Sequence, residues 1–263
     1  MSSNASADAL TAAGARVRRG SLDDIDGLRA GAADADGVIH LGFKHDFGDF
    51  AAAGAADLNA VQAMGGVLAG SGRPLVIVSG TLMLAMIAPG RPGTEDIVAG
   101  PELATAPRVA SELAVLAMPD RGVRTSIVRL SPTVHGDGDR GFVPRFIDIA
   151  RDKGVAAYVG DGANRWPAVH RLDAARLFRL ALEKAPAGSV LHAAGDPGIP
   201  FTEIAGAIGG QLGIPRDQHP GGRGGRALRL PRRIRPAQQP HVSRADAAAH
   251  GVAADASWAD RGP

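Results

Sequence analysis

The sequence predicts an α/β fold built on a parallel sheet, and three observations carry that prediction. Short apolar runs such as Pro74-Leu-Val-Ile-Val-Ser79 alternate with longer helical patterns. The runs lack the polar alternation of a half-exposed strand, so both faces of the sheet are covered. At 263 residues, 45% hydrophobic and 21% charged, the chain can build a sizeable core and is too apolar to be disordered throughout. Strands that alternate with helices pair in parallel through crossover connections.

The elements follow in order. Ala15–Arg19 reads as a short strand. Ile25–Ala33 is a helix, with Asp23, Asp24 and Asp26 favouring the positive end of its dipole. Gly37–Phe43 is a buried strand, short and apolar between Asp36 and Lys44. Phe47–Ala69 is Ala-rich and helical, ended by Gly70-Ser-Gly72. Pro74–Ser79 is the clearest strand, stopped by Gly80. A helix over Arg108–Met118 leads through Gly122 to the strand Val123–Leu130. Ser131–Gly141 reads as a loop, Phe142–Asp152 as a helix and Val155–Gly160 as a strand. Leu172–Lys184 is an amphipathic helix, Ser189–Ala193 a strand, and Phe201–Leu212 a helix ended by Gly213. Regularity stops at Pro215.

Composition excludes several chemistries. With no cysteine there is no disulfide, thiolate nucleophile or cysteine-ligated metal. No run of eighteen apolar residues could form a membrane span. The first residues have neither the basic nor the apolar part of an export signal, so the expected location is cytoplasmic. His40, His45, Asp46 and Asp49 suggest a metal site at first sight. The two histidines straddle a strand end, however, and no metal is expected.

Charge is unevenly distributed. The net charge is +2, yet residues 216–263 hold nine arginines against four aspartates, which leaves residues 1–215 at −3. This tail has few large apolar residues, too few to offset backbone ordering. Three readings compete for it. It is a disordered extension, an arginine-rich nucleic-acid-binding arm carried by Gly221–Arg226 and Pro231–Arg235, or a GC-rich coding sequence read in the wrong frame. The frame shift best explains abundant Arg, Gly, Ala and Pro without aliphatic periodicity, and a nucleic-acid partner is the least favoured.

Open α/β sheets bind ligands at the carboxyl ends of their strands. There the chain carries Gly20-Ser-Leu-Asp-Asp24, Gly37-Val-Ile-His-Leu-Gly42, Leu75-Val-Ile-Val-Ser-Gly-Thr81, Arg129-Leu-Ser-Pro-Thr-Val-His-Gly136 and Trp166-Pro-Ala-Val-His-Arg-Leu-Asp-Ala-Ala175. In this order they resemble the extended short-chain dehydrogenase/reductases, the NAD-dependent epimerases and dehydratases, and an atypical branch of that group. The resemblance spans about residues 6–215. It implies NAD or NADP as cofactor, a small-molecule substrate of sugar-like or nucleotide-linked type, and leaves room for a homodimer. Ser21 and Leu22 then lie toward adenine, and His40, Leu41 and Gly42 line pyrophosphate and ribose. Pro132, Thr133 and Val134 flank nicotinamide. Ser79 takes the place of the catalytic serine, and Thr81, His135, Asn164, Arg165, Trp166 and His170 face substrate. Each also has a plainer role: His40 as a satisfied buried histidine, Ser79 as a strand end, Trp166 as core.

Two departures qualify the resemblance. Catalysis in this family rests on a tyrosine with a lysine four residues later, the lysine helping the tyrosine exchange a proton. Tyr158 is the single tyrosine, and residue 162 is glycine. Where the pair would fall, the chain reads Pro107-Arg-Val-Ala-Ser-Glu112, with Arg108 for the tyrosine and Glu112 for the lysine. An arginine stays protonated and cannot relay protons. The second departure is the glycine-rich turn after a first strand that lets backbone reach a pyrophosphate. The one G-x-G-x-x-G, Gly136–Gly141, comes late, with two aspartates that would repel a diphosphate.

In family register the chain begins inside the helix after the second strand. The expected fold is therefore an incomplete Rossmann-like doubly wound parallel sheet with a small C-terminal substrate-side α/β portion. Its parts are a truncated cofactor-binding region over 1–135, a substrate-side region over 136–215 and the tail. Loss of strands one and two would open a slot of roughly 14 Å in the sheet, unless Ala15–Arg19 closes directly onto Gly37–Phe43. Function is expected to be that of an NAD(P)-dependent oxidoreductase, epimerase or dehydratase with impaired cofactor binding and no tyrosine–lysine catalysis. The alternative is a non-catalytic Rossmann-like ligand-binding or sensor module.

Overall fold

The computed structural model describes residues 4–45, 49–104, 106 and 108–219. The tail beyond His219, and with it Gly221–Arg226 and Pro231–Arg235, lies outside the described residues, as does Asp46. In chain order the elements are α1 (Asn4–Ala12), α2 (Ile25–Ala33), β1 (Val38–His40), α3 (Phe50–Leu68), β2 (Pro74–Gly80), α4 (Leu84–Ile87), α5 (Val109–Leu116), β3 (Arg124–Leu130), β4 (Thr133–His135), α6 (Phe142–Lys153), β5 (Ala156–Val159), β6 (Arg165–His170), α7 (Arg171–Lys184), β7 (Ser189–Ala193), β8 (Asp196–Pro200), α8 (Phe201–Leu212) and β9 (Arg216–His219). Among the described residues no helix is long and apolar enough to cross a membrane.

The chain forms two compact units, one of residues 4–130 and 172–193, the other of 131–171 and 194–219. The division is not linear at residue 135, because the chain returns to the first unit to lay β7 beside β3.

In the first unit, four parallel strands stand in the order β1-β2-β3-β7. β2 is the apolar run Pro74–Gly80, buried along nearly its whole length as a strand covered on both faces must be. One layer packs Val61 and Leu68 of α3 and Val115 of α5 with Met118 against Leu75, Ile77 and Ile127. Ala60 and Met64 of α3 meet Ala32 of α2, with Leu22 and Val38 packed against them. Asp24 and Asp49 cap α2 and α3, accepting from the amides of Gly27 and Ala52.

Several expectations change here. Residues 15–20 form no strand, so Ala15–Arg19 does not pair with Gly37–Phe43. Val17 is the single large apolar side chain in that run, and Arg18 pairs with Asp34 at the surface instead. Nor is there a slot within the sheet: β1 pairs with β2 in continuous register from Val38↔Leu75 to His40↔Ile77 and ends the sheet.

The second unit holds the three-stranded sheet β4-β6-β8, parallel between β4 and β6 and antiparallel between β6 and β8, and the parallel pair β5-β9. Thr133–His135 is thus a strand inside the expected loop. Regularity also extends past Pro215, since Arg216–His219 adds to β5. Neither run is apolar enough to announce a strand; pairing with a neighbour defines both.

Candidate functional site

In the first unit, chemistry-bearing side chains gather at the carboxyl ends of β1 and β2. Asp57 is the single charged residue of the Ala-rich helix α3 and is 1% exposed. Its Oδ1 lies 2.9 Å from Nε2 of His40, and its Oδ2 accepts from Ser111 Oγ at 2.6 Å. Burial alone would raise the Asp57 carboxyl. Bonds from His40 and Ser111, with the nearby charge of Arg108, outweigh it and hold the carboxyl below its ordinary value. Asp57 is therefore ionised, and the His40 nitrogen facing it is the donor.

Arg108 precedes α5 with φ 65°, the one positive φ outside glycine among the described residues. Its Nη1 donates to Val78 O at 2.7 Å and stands 3.9 Å from Asp57 Oδ1. Its guanidinium lies 4.1 Å over the ring of Phe43, against whose edge His45 packs. Burial, then the Arg108 charge, keep His45 below its ordinary value, so the imidazole is neutral at pH 7. Burial lowers Arg108 too, while Asp57 and Glu112 pull it back up.

One turn along α5, Glu112 binds Arg129 of β3 at two points: Nε to Oε1 at 3.0 Å and Nη2 to Oε2 at 2.7 Å. Both side chains are shut off from water. Arg129 Nη1 also donates to Ile97 O at 2.9 Å and lies 3.5 Å from His192 Nε2. Glu112 thus occupies the lysine's expected place as half of a closed ion pair.

Most of the other expected site residues of this unit make packing or turn contacts. Ser21 Oγ accepts from the amide of Asp23, and Leu22 packs against the α2–α3 core. Leu41 is exposed. A Cβ on Gly42 would come within 3.0 Å of Leu22, so the chain passes close there. Ser79 is buried with its hydroxyl on the Met83 sulfur at 3.4 Å, and Thr81 donates to Leu130 O. Asp57 and Ser111 were not picked out as site residues. Only Asp57 left a signal, a lone acid in an apolar helix.

In the second unit, Thr133, His135 and Trp166 line a cavity of about 780 Å³ with Ile147 of α6 and Ile204 and Ile208 of α8. Trp166 donates from Nε1 to Thr133 Oγ1 at 2.7 Å, and Phe142, Phe146 and Phe201 meet its ring edge-to-face. His135 meets His170 edge-to-face, with centroids 5.3 Å apart. Pro132 and Val134 flank Thr133 and are half-buried. Asn164 and Arg165 are exposed; the Asn164 backbone carbonyl accepts from the amide of Phe201 at the start of α8, and Arg165 donates through Nη1 to Gly198 O of β8.

The G-x-G-x-x-G run directly follows β4 and opens α6, closer to a strand than expected. It still offers no phosphate cradle, because Asp139 Oδ1 already accepts from the amide of Gly141 at 2.7 Å. In the first unit, β2 passes through Gly80 alone into a 3₁₀ turn at Thr81–Met83. At these two turns, then, the amides of Asp139 and Gly141 are engaged within the loop, and β2 is followed by a 3₁₀ turn after a single glycine.

The fold defines the class. Dehydratase and epimerase structures share it: dTDP-glucose 4,6-dehydratase of Streptomyces venezuelae, determined with NAD, aligns with a TM-score of 0.63 at 21% identity over 76% of this chain and 66% of that one. UDP-N-acetylglucosamine 4-epimerase of Methanobrevibacter ruminantium aligns with a TM-score of 0.63 at 17% identity over 79% and 70%. The chain thus has the Rossmann-like fold of the NAD-dependent epimerases and dehydratases. No family model matches it. It is 50% identical to the uncharacterised protein C2A9.02 of Schizosaccharomyces pombe over 78% of its own length and 68% of that protein's, and it belongs to the same family. The uncharacterised protein YLL056C of Saccharomyces cerevisiae is 45% identical over 76% and 66%. The match spans about two thirds of the length of these relatives.

Proposed function

We propose that this protein is an NAD(P)-linked oxidoreductase, epimerase or dehydratase by descent, in which cofactor binding is weakened and tyrosine–lysine proton transfer is gone. The observation that carries the reading is the Glu112–Arg129 pair, with Arg108 one turn before it. A proton relay needs a group whose two protonation states are both reachable near neutral pH. Arg108 remains a cation, and both oxygens of Glu112 are committed to the Arg129 guanidinium. Hydride transfer at this site would have to find its proton elsewhere.

Isothermal titration with NAD(H) and NADP(H), followed by turnover assays on dTDP-glucose and UDP-N-acetylglucosamine, tests the proposal. Weak or absent cofactor binding and no product are expected. Micromolar binding with turnover would overturn it. A second reading, a non-catalytic ligand-binding module, is favoured by the apolar cavity of the second unit, whose size suits a small molecule. It predicts ligand-dependent thermal stabilisation without product.

A further inference from the structure

We propose that Arg108 binds a carboxylate group of the protein's ligand at the carboxyl ends of β1 and β2. The proposal rests on the reading above, since it names the ligand class taken at the position where the tyrosine–lysine pair is replaced.

Strain is the first observation. A non-glycine residue persists in the left-handed region only where its surroundings over-determine it, and such positions cluster at ligand clamps. Arg108 alone among non-glycine described residues is held so. Its surroundings are the Phe43 ring beneath the guanidinium and the Val78 carbonyl at one end. Together they set the plane and direction of the group.

Unused donors are the second observation. Among the described residues, the Val78 bond from Nη1 is the one hydrogen bond that Arg108 makes. Nε and Nη2 have none, although a guanidinium carries five N–H donors. Among the described residues the nearby acids are Asp57, an ion-pair partner 3.9 Å from Nη1, and Glu112, and neither hydrogen-bonds to Arg108. Both oxygens of Asp57 accept from His40 and Ser111, and both oxygens of Glu112 from Arg129. The side chain is 17% exposed, so solvent reaches it although most of its surface is covered. A planar fork with free donors, partly desolvated, matches a planar carboxylate at two points. A neutral carbonyl offers the fork one oxygen and no charge.

Malonate and its neutral analogue malonamide are the probes, read by calorimetry and thermal unfolding on the full chain, with and without NADP(H). Malonate is expected to bind and to raise Tm, and malonamide to do neither. Arg108→Gly and Arg108→Asn remove the fork with residues that accept a positive φ, so both are expected to fold and to lose at least tenfold in malonate affinity. Malonamide binding as well as malonate, no malonate binding to the wild type, or malonate binding that survives in both variants would overturn the proposal. The malonate arm without cofactor is independent of the cofactor titration. Malonate binding alongside tight cofactor binding and turnover would defeat the functional reading and spare this one.

Discussion

Arg129 and Glu112 close on each other through two hydrogen bonds, and neither keeps any appreciable contact with water. Such a pair contributes little net stability when intact, because desolvation offsets the attraction, but removing one partner strands the other. Glu112→Ala is expected to cost about 3–5 kcal/mol in urea unfolding. Glu112→Lys, which restores the family's residue type, is expected to cost at least as much, since it sets a second cation beside Arg129. The double variant Glu112→Leu/Arg129→Met removes both charges and should recover most of the loss. Equal damage in the double variant would mean that Arg129 is needed for its bond to Ile97 O rather than for the pair.

Asp57 links stability to acid. Its carboxyl titrates below its ordinary value of 3.8 in the folded chain. The unfolded chain therefore binds the proton more readily as pH falls toward that value. The stabilisation is fully present above about pH 4 and is lost as pH drops through the folded value. Wild type is expected to melt well above Asp57→Asn at pH 7, and the gap should close below pH 4. A gap that does not narrow at all as pH falls from 4 would show that the carboxylate's charge is not its source.

The sheet was legible chiefly because β2 is apolar along nearly its whole length, a pattern that only strands covered on both faces require; β3 is as buried but carries Arg124, Thr125, Ser126 and Arg129. Short strands were legible only where apolar, and β4, β6, β8 and β9 are defined by their partners rather than by their own composition. The site was half legible. A resemblance in motifs located Arg108 and Glu112 but could say nothing of Arg129 as the answering charge, since a pairing across seventeen residues leaves no local pattern. His40 turned toward Asp57, and Ser79 toward a thioether, for the same reason.

Ser79 offers a contrast with Glu112. Among the described residues its hydroxyl meets only the Met83 sulfur, a weak acceptor, so Ser79→Ala is expected to cost less than about 1 kcal/mol. Thermal unfolding of the variant checks this. A larger loss would mean that the hydroxyl has a stronger partner in solution.

Trp166 anchors the second unit by its indole nitrogen as well as by its ring. Trp166→Phe keeps edge contacts with Phe142, Phe146 and Phe201 but leaves Thr133 Oγ1 without its donor, at a cost of about 1 kcal/mol. Trp166→Ala also opens space beside an existing cavity. Because the ring is only half-buried, the expected cost is about 2–3 kcal/mol, below that of a fully buried tryptophan. Urea unfolding followed by circular dichroism separates the two variants. Near-equal losses would place the stabilisation in the hydrogen bond to Thr133, and a neutral Trp166→Phe would place it wholly in the ring contacts.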